Sequence, residues 1–222
     1  TEVTVVSGAT EALFAAIHCC VSAGDEVIMF DPSYDAYDPI VRLAGGIPVH
    51  IPLKSSNSFQ IDWEELGRKI TPKTRAIMVN SPHNPTGAIY SDECLREIIA
   101  IARKNDLIVF ADEIYDKVLY DEKKHTSVAS LADDVLFVTL NGLSKNYRAC
   151  GYRAGWLVVS GDKGRAKDYL EGLNILASMR LCANVPGQLA IQTALGGYQS
   201  INDLVAPTGR LCKQRDLAYK LM

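Results

Sequence analysis

Lys145 is the residue whose type and setting in this sequence most suggest chemistry. It lies in the stretch NGLSKNYRACGYR (residues 141–153), between the apolar runs VLFVTL and AGWLVVS, which resemble buried strands. Ser144 precedes it, and Arg153 follows in the same stretch. A solvated lysine needs no special setting, whereas a lysine at a strand end inside a cleft can be a nucleophile. The residues at the other strand ends decide between these two interpretations.

Seven short apolar runs have the composition of strands that are buried on both faces. They span residues 3–6, 26–30, 47–51, 75–79, 107–111, 135–140 and 155–159. Between several of them the apolar residues have helical spacing, as over residues 10–22 and 91–104, where Ser91 is a candidate cap. The later part of the chain has helical patterns over 163–179 and 185–195. This alternation predicts an α/β fold with a mostly parallel seven-stranded sheet sandwiched by helices.

In such sheets ligands bind beyond the carboxyl ends of the strands, so the residues after each run are candidate site residues. The small residues 7–10 (Ser-Gly-Ala-Thr) follow the first run and precede a helical stretch, where free N–H groups and the helix dipole can hold a phosphate. The alternative there is an ordinary tight turn with a Ser or Thr cap. Tyr34 in DPSYDAY, after the second run, can stack on a flat ligand or be a core tyrosine.

The loops after the fourth and fifth runs carry an amide and a carboxylate. In NSPHNPTG two prolines stiffen the backbone, so Asn84 can be held rigidly, while His83 is given no role. Asp112 ends a very apolar strand, and Tyr115 lies one turn away if a helix begins there. A strand that ends in Asp-Glu also resembles an element of nucleotide hydrolases, but the sequence contains no G-x-x-x-x-G-K-[ST], no G-x-G-x-x-G and no G-x-S-x-G. The combined set suits a flat, anionic, phosphorylated ring with a carbonyl group.

The composition narrows the possible partners. The 222 residues are 48% hydrophobic and carry a net charge of -3, which allows a sizeable core and argues against nucleic acid as the main ligand. No apolar run approaches the ~20 residues that a membrane span needs. The six cysteines form no C-x-x-C pair and no Cys/His cluster. We therefore expect no metal, and reduced thiols in a cytoplasmic protein.

Five motifs occur in an order that resembles the class I and II aminotransferases, which are pyridoxal-phosphate (PLP) enzymes of fold type I. The motifs are SGATEAL, DPSYDAY, NSPHNPTG, ADEIYDKVLYD and SKNYRACGYRAGW, and they span residues 7–156. From residue 71 onward the chain is most similar to bacterial alanine (glutamate–pyruvate) aminotransferases, whereas residues 1–70 are closer to methionine and kynurenine-type aminotransferases. The resemblance implies PLP as the cofactor. It also implies transfer of an amino group between an L-amino acid, alanine or glutamate, and a 2-oxo acid.

The resemblance assigns three catalytic residues. Lys145 forms the Schiff base with PLP and moves the substrate proton. Asp112 pairs with the pyridine nitrogen, and this cation would lower the pKa of the carboxyl group. Tyr115 hydrogen-bonds the 3′ oxygen of the ring, together with Asn84.

The remaining candidates are implied to bind the cofactor. Tyr34 stacks on the ring, the backbone N–H groups of Ala9 and Thr10 bind the phosphate, and so does the guanidinium of Arg153. Ser144 is a further phosphate contact, since glycine at position 142 stands where some relatives carry a hydroxyl residue.

The resemblance also implies a domain organisation. The chain begins inside the strand-like TEVTVVSG and ends inside the helix-like RDLAYKLM, so we interpret residues 1–222 as a PLP-binding large domain truncated at both ends, without the small domain. We expect this piece alone to be poorly active or inactive. Family members form homodimers, and Arg180 lies where they approach the neighbouring subunit's site. The alternative is a surface arginine at a helix end.

Two other functions stay open at this point. One is another fold-type-I PLP enzyme, such as a β-lyase, a decarboxylase or an aminocyclopropane-forming synthase. The other is a non-catalytic PLP-binding module of a regulator. An assay with a 2-oxo-acid acceptor separates the first from an aminotransferase, and DNA binding identifies the second.

Overall fold

The protein, seen in a computed structural model that describes residues 2–164 and 166–222, is built on one seven-stranded sheet. Its strands are β1 (Val3–Val6), β2 (Glu26–Asp31), β3 (Ile47–Pro52), β4 (Thr74–Asn80), β5 (Ile108–Asp112), β6 (Leu136–Gly142) and β7 (Gly155–Gly161). The order across the sheet is β1-β7-β6-β5-β4-β2-β3. All seven predicted strands are present, and the prediction of a mostly parallel sheet is confirmed.

The strand directions bring six loops to one edge of the sheet. Strands β3, β2, β4, β5 and β6 are parallel neighbours, while β7 is antiparallel to both β6 and β1. Gly155, the first residue of β7, is therefore paired with Gly142 of β6 on one side and with Val6 of β1 on the other. The carboxyl ends of β1, β2, β4, β5 and β6 and the amino end of β7 consequently lie together.

Helices cover both faces of the sheet. They are α1 (Ala9–His18), α2 (Tyr37–Leu43), α3 (Trp63–Lys69), α4 (Asp92–Asn105), α5 (Lys167–Met179), α6 (Val185–Gly196), α7 (Ile201–Val205) and α8 (Arg210–Leu221). The predicted cap of α4 is confirmed, because the hydroxyl of Ser91 accepts a hydrogen bond of 3.2 Å from the N–H of Cys94. Helices α2 and α3 were not predicted, since seven residues are too few for a clear helical period.

Each central strand contributes side chains to two separate apolar layers. In β2, Val27 and Met29 pack with α1 and α5, whereas Ile28 and Phe30 pack with α3 and α4 on the opposite face. Both faces are thus fully buried, which explains why the strands appear as continuous apolar runs instead of alternating patterns.

Two further observations apply to the described residues. No helix among residues 2–164 and 166–222 is long and apolar enough to cross a membrane. The same part of the chain contains no group of three or more His, Cys, Asp or Glu side chains placed to hold a metal ion.

Candidate active site

A cavity of about 240 Å³ opens at the edge of the sheet where the strand ends meet. All the site residues predicted from the sequence line it: Ala9, Thr10, Tyr34, Asn84, Asp112, Tyr115, Ser144, Lys145 and Arg153. The structure therefore brings together residues from four loops and from the amino end of α1.

The turn between β1 and α1 is shaped around Arg153. Gly8 has a φ of 86°, and a Cβ atom at this position would lie 2.3 Å from Nη2 of Arg153. Both the left-handed backbone and the close guanidinium therefore require glycine. The same Nη2 donates a hydrogen bond of 3.3 Å to the carbonyl of Ser7, and Nη1 donates one of 2.9 Å to the carbonyl of Cys150.

The amino end of α1 presents backbone donors to the cavity. Ala9 and Thr10 are the first two residues of the helix, so their N–H groups have no intrahelical acceptor. Within the described turn the cap residue is Gly8 and no side chain caps the helix, so the alternative of an ordinary Ser- or Thr-capped turn is wrong. These N–H groups, the helix dipole and Arg153 form an arrangement that suits a phosphate.

Asp112 lies at the floor of the cavity and is only 8% exposed. Its Oδ2 accepts a hydrogen bond of 2.7 Å from the hydroxyl of Tyr37, and its Oδ1 accepts one of 3.1 Å from the N–H of Ile114. Burial raises the pKa of Asp112, against these hydrogen bonds and the charge of Lys145, which lower it. The carboxylate therefore lies in a setting that an additional cation would stabilise.

The amide of Asn80 connects Asp112 to the proline-rich loop. Its Nδ2 donates a hydrogen bond of 2.8 Å to the backbone carbonyl of Asp112, and its Oδ1 accepts one of 2.7 Å from the N–H of Asn84. Asn84 is thus fixed at its backbone beside the cavity. Nδ1 of the buried His83 lies 2.7 Å from the hydroxyl of Thr86, and burial lowers the pKa of this histidine, so it belongs to the interior of the loop.

Tyr115 lies in a series of turns after β5, not in a helix. The N–H of Val118 donates a hydrogen bond of 2.8 Å to the carbonyl of Tyr115. Nζ of Lys145 is 5.5 Å from the centre of the Tyr115 ring, so the two predicted catalytic side chains face each other.

Asn146, which is 2% exposed, joins the loops that carry Lys145 and Tyr115. Its Oδ1 accepts a hydrogen bond of 3.2 Å from the N–H of Lys117, and its Nδ2 donates one to the carboxylate of Asp116. Sequence reasoning missed both Asn146 and Tyr37. The sequence offers a signal for Tyr37, since this residue lies one helical turn after Tyr34 in the same motif. For Asn146 the sequence offers no signal beyond its place beside Lys145.

Arg180, at the carboxyl end of α5, is held in an ion pair. Its Nε lies 2.5 Å from Oε1 of Glu11, and its side chain is 24% exposed. The other carboxylate oxygen of Glu11 accepts a hydrogen bond from the N–H of Ser7. Arg180 thus supports the turn before α1, and its role toward a neighbouring subunit stays a prediction.

The sheet order and the polar groups around the cavity define an α/β fold of the aminotransferase type. The chain belongs to the aminotransferase class I and II family, whose sequence profile matches residues 1–222. This family consists of PLP-dependent enzymes.

Two relatives show which kinds of aminotransferase this chain is similar to. The chain is 50% identical over 221 residues to glutamate-pyruvate aminotransferase AlaA of Escherichia coli K12. The match covers 100% of this chain and 55% of the relative. It is 49% identical to an alanine aminotransferase of Mycobacterium tuberculosis, over 98% of this chain and 51% of the relative.

Solved structures agree with the sequence comparison. An aminotransferase from Escherichia coli superposes with a TM-score of 0.97 at 50% identity, over 99% of this chain and 55% of that one. Alanine aminotransferase from Pyrococcus furiosus superposes with a TM-score of 0.90 at 35% identity, again over 99% and 55%. The chain thus spans about half the length of the relatives that it matches.

Proposed function

We propose that this chain forms the PLP-binding large domain of an aminotransferase that transfers an amino group between an L-amino acid and a 2-oxo acid. The observation that carries the proposal is the placement of Asp112 and Lys145 on one cavity. A buried carboxylate and an amine, with an anion site beside them, are the groups that a pyridine ring with an aldehyde and a phosphate requires.

The residues present fit this cofactor in three respects. Burial raises the pKa of Asp112, so a protonated ring nitrogen would supply the missing cation. The close approach of Arg153 to Gly8 places a guanidinium beside the free N–H groups of α1, where a phosphate is stabilised. Tyr34 lines the cavity and offers an aromatic face for a flat ring.

When bound, PLP supplies an electrophilic carbon and a ring that withdraws electrons from the α-carbon of the substrate. The protein residues then have separate tasks. Asp112 would keep a negative charge next to the ring nitrogen, while Tyr115 and Asn84 would donate hydrogen bonds to the ring oxygen. Lys145 would hold the cofactor through Nζ and would carry a proton to and from the substrate.

Alanine and glutamate are the amino donors that we propose, with pyruvate and 2-oxoglutarate as the acceptors. Support comes from the match to glutamate-pyruvate aminotransferase AlaA, which extends over 221 residues. The match therefore includes residues 1–70, where the sequence also resembles methionine and kynurenine-type enzymes. Methionine and kynurenine are accordingly the competing donors.

The experiment is a donor comparison with the complete protein and added PLP. Alanine, methionine and kynurenine are each incubated with 2-oxoglutarate, and glutamate is incubated with pyruvate. The amino acid and the 2-oxo acid that form are both quantified. Stoichiometric pyruvate and glutamate from alanine support the proposal. Carbon dioxide release, or ammonia without glutamate, would indicate a decarboxylase or a lyase instead.

We also propose a homodimer. Several large apolar side chains at the carboxyl end of α5 and beyond it are exposed: Met179 (72%), Leu181 (83%), Leu189 (71%) and Tyr198 (79%). Such a patch is typical of a surface that is covered in an assembly. Sedimentation of the complete protein tests this, and a monomer at micromolar concentration contradicts it. A cytoplasmic location stays a prediction from the cysteine pattern.

A further inference from the structure

His50 lies between two carboxylates at the outer edge of the sheet, outside the cavity. It belongs to the edge strand β3, and its Nε2 is 3.0 Å from Oδ2 of Asp38. Its Nδ1 is 2.7 Å from Oδ2 of Asp31. The Nδ1 atom is buried and forms no hydrogen bond with the described residues, so its contact with Asp31 is one of charge.

These two carboxylates mark the ends of one short segment. Asp31 is the last residue of β2, and Asp38 lies in the first turn of α2. Between them the segment 31–38 carries Tyr34 and Tyr37, both of which line the cavity. His50 therefore contacts both ends of the segment that brings these aromatic side chains to the site.

The two tyrosines pack against each other within this segment. Their ring centres are 5.5 Å apart at an interplanar angle of 83°, an edge-to-face contact. The N–H of Tyr37 also donates a hydrogen bond of 3.1 Å to the carbonyl of Tyr34. Because the hydroxyl of Tyr37 bonds to Asp112, a shift of the segment changes the setting of that carboxylate.

Asp31 and Asp38 place a carboxylate beside each ring nitrogen of His50. Other charges face this group from α2 and α3. Arg42 lies 2.6 Å from Asp38, and Lys69 donates a hydrogen bond of 3.2 Å to the carbonyl of His50 and lies 4.0 Å from Glu65. The histidine thus has carboxylates at both ring nitrogens and a lysine at its backbone.

We propose that His50 is a positioning residue that holds both ends of segment 31–38 and so keeps Tyr34 and Tyr37 in place at the cavity. The role of these tyrosines toward PLP rests on the proposed function, whereas the hold on the segment does not. Because the two carboxylates repel each other, removal of the imidazole between them should loosen the segment.

The test measures amide hydrogen exchange of residues 33–38 in the complete protein without PLP. The variants are His50→Gln, which has one amide donor and no charge, and Asp31→Asn, which keeps the histidine but removes one partner. His18→Gln is the matched control, because this histidine lies in the last turn of α1, and its Nδ1 contacts the backbone carbonyl of Phe14.

In low salt we expect exchange in both test variants to be about fivefold faster than in the wild type, as about 1 kcal/mol of ion pairing gives. In about 1 M salt, which screens ion pairs, the ratio of His50→Gln to wild type should fall toward one. Equal exchange in low salt overturns the proposal. An equal ratio at both salt concentrations also overturns it, because a merely structural side chain gives that result.

The PLP dissociation constant is the second measurement. We expect His50→Gln to raise it about threefold in low salt, while His18→Gln leaves it unchanged. Faster exchange with an unchanged dissociation constant would mean that His50 holds the segment without positioning the site, and the proposal would be wrong. If the wild type binds no PLP, the proposed function fails, and the exchange data alone decide the role of His50.

Discussion

The hydroxyl of Tyr37 donates a hydrogen bond of 2.7 Å to the carboxylate of Asp112, and both side chains are buried. This bond joins the first residue of α2, the helix that follows β2, to the last residue of β5. Strands β2 and β5 are not neighbours in the sheet. It lowers the pKa of Asp112 in opposition to burial, which raises it. Tyr37 therefore helps to keep this carboxylate charged.

Replacing Tyr37 with phenylalanine tests this bond. We expect Tyr37→Phe to weaken PLP binding about tenfold or more, because a hydrogen bond to a charged acceptor contributes about 1.5–3 kcal/mol. A fluorescence titration of the apoprotein with PLP measures the change. Tyr90→Phe is the control, since the hydroxyl of this buried tyrosine has no hydrogen-bond partner among the described residues. Equal affinities of the two variants would contradict the prediction.

The charge of Asp112 should cost stability in the protein without PLP. Asp112→Asn can keep both hydrogen bonds of this side chain, so it mainly removes a buried charge. We expect it to have a higher free energy of unfolding than the wild type at about pH 7.5. Because the pKa of Asp112 is raised, the folded state binds the proton more tightly than the unfolded state, and the wild type gains stability as the pH falls. The difference in free energy of unfolding between the two proteins should therefore narrow toward about pH 5. Urea titrations across this range measure it.

With PLP bound, the wild type should have a higher free energy of unfolding than Asp112→Asn. The wild type pairs its carboxylate with the ring nitrogen, whereas the amide cannot, so PLP should stabilise the wild type more. Transamination by Asp112→Asn should fall about a hundredfold or more, as expected when a preorganised charge is lost. Near wild-type turnover would show that this carboxylate has no electronic role.

Lys145 should be the attachment point of the cofactor. Borohydride reduction of the complete protein with PLP should leave the label on one peptide, the one that contains Lys145. Lys145→Ala should lose the label and the activity, while Lys104→Ala, on the exposed side of α4, should keep both. Peptide mapping by mass spectrometry reads the result, and label at another lysine would refute the assignment.

Gly8 is the most direct test of the phosphate site. Gly8→Ala and Gly24→Ala both place a side chain on a left-handed backbone, with φ of 86° and 87°, so each should lose about 1 kcal/mol of stability. A Cβ on Gly24 has nothing within 4 Å, whereas one on Gly8 displaces Arg153. We therefore expect PLP affinity to fall about tenfold for Gly8→Ala alone, since one charged phosphate contact is lost. An equal change in both variants would argue against the site.

Much of this architecture follows from local sequence. The strands were predictable because they are buried on both faces, as Val27 and Ile28 show by packing on opposite layers. The site residues were predictable because they end those strands. Tyr37 was not predicted, although it shares the motif of Tyr34, because its partner Asp112 is distant in sequence. His50 was missed for the same reason, since its two carboxylates lie in other elements.

The antiparallel course of β7 has a consequence for how the protein is made. Arg153 reaches Ser7 only because β7 enters the sheet beside β1, and the two residues are 146 positions apart in the chain. A nascent chain that has formed β2 to β5 therefore has Asp112 in place but has no complete anion site. Affinity for a phosphate ester consequently reports whether the seventh strand has been added, so PLP can serve as a probe of complete assembly during synthesis or refolding.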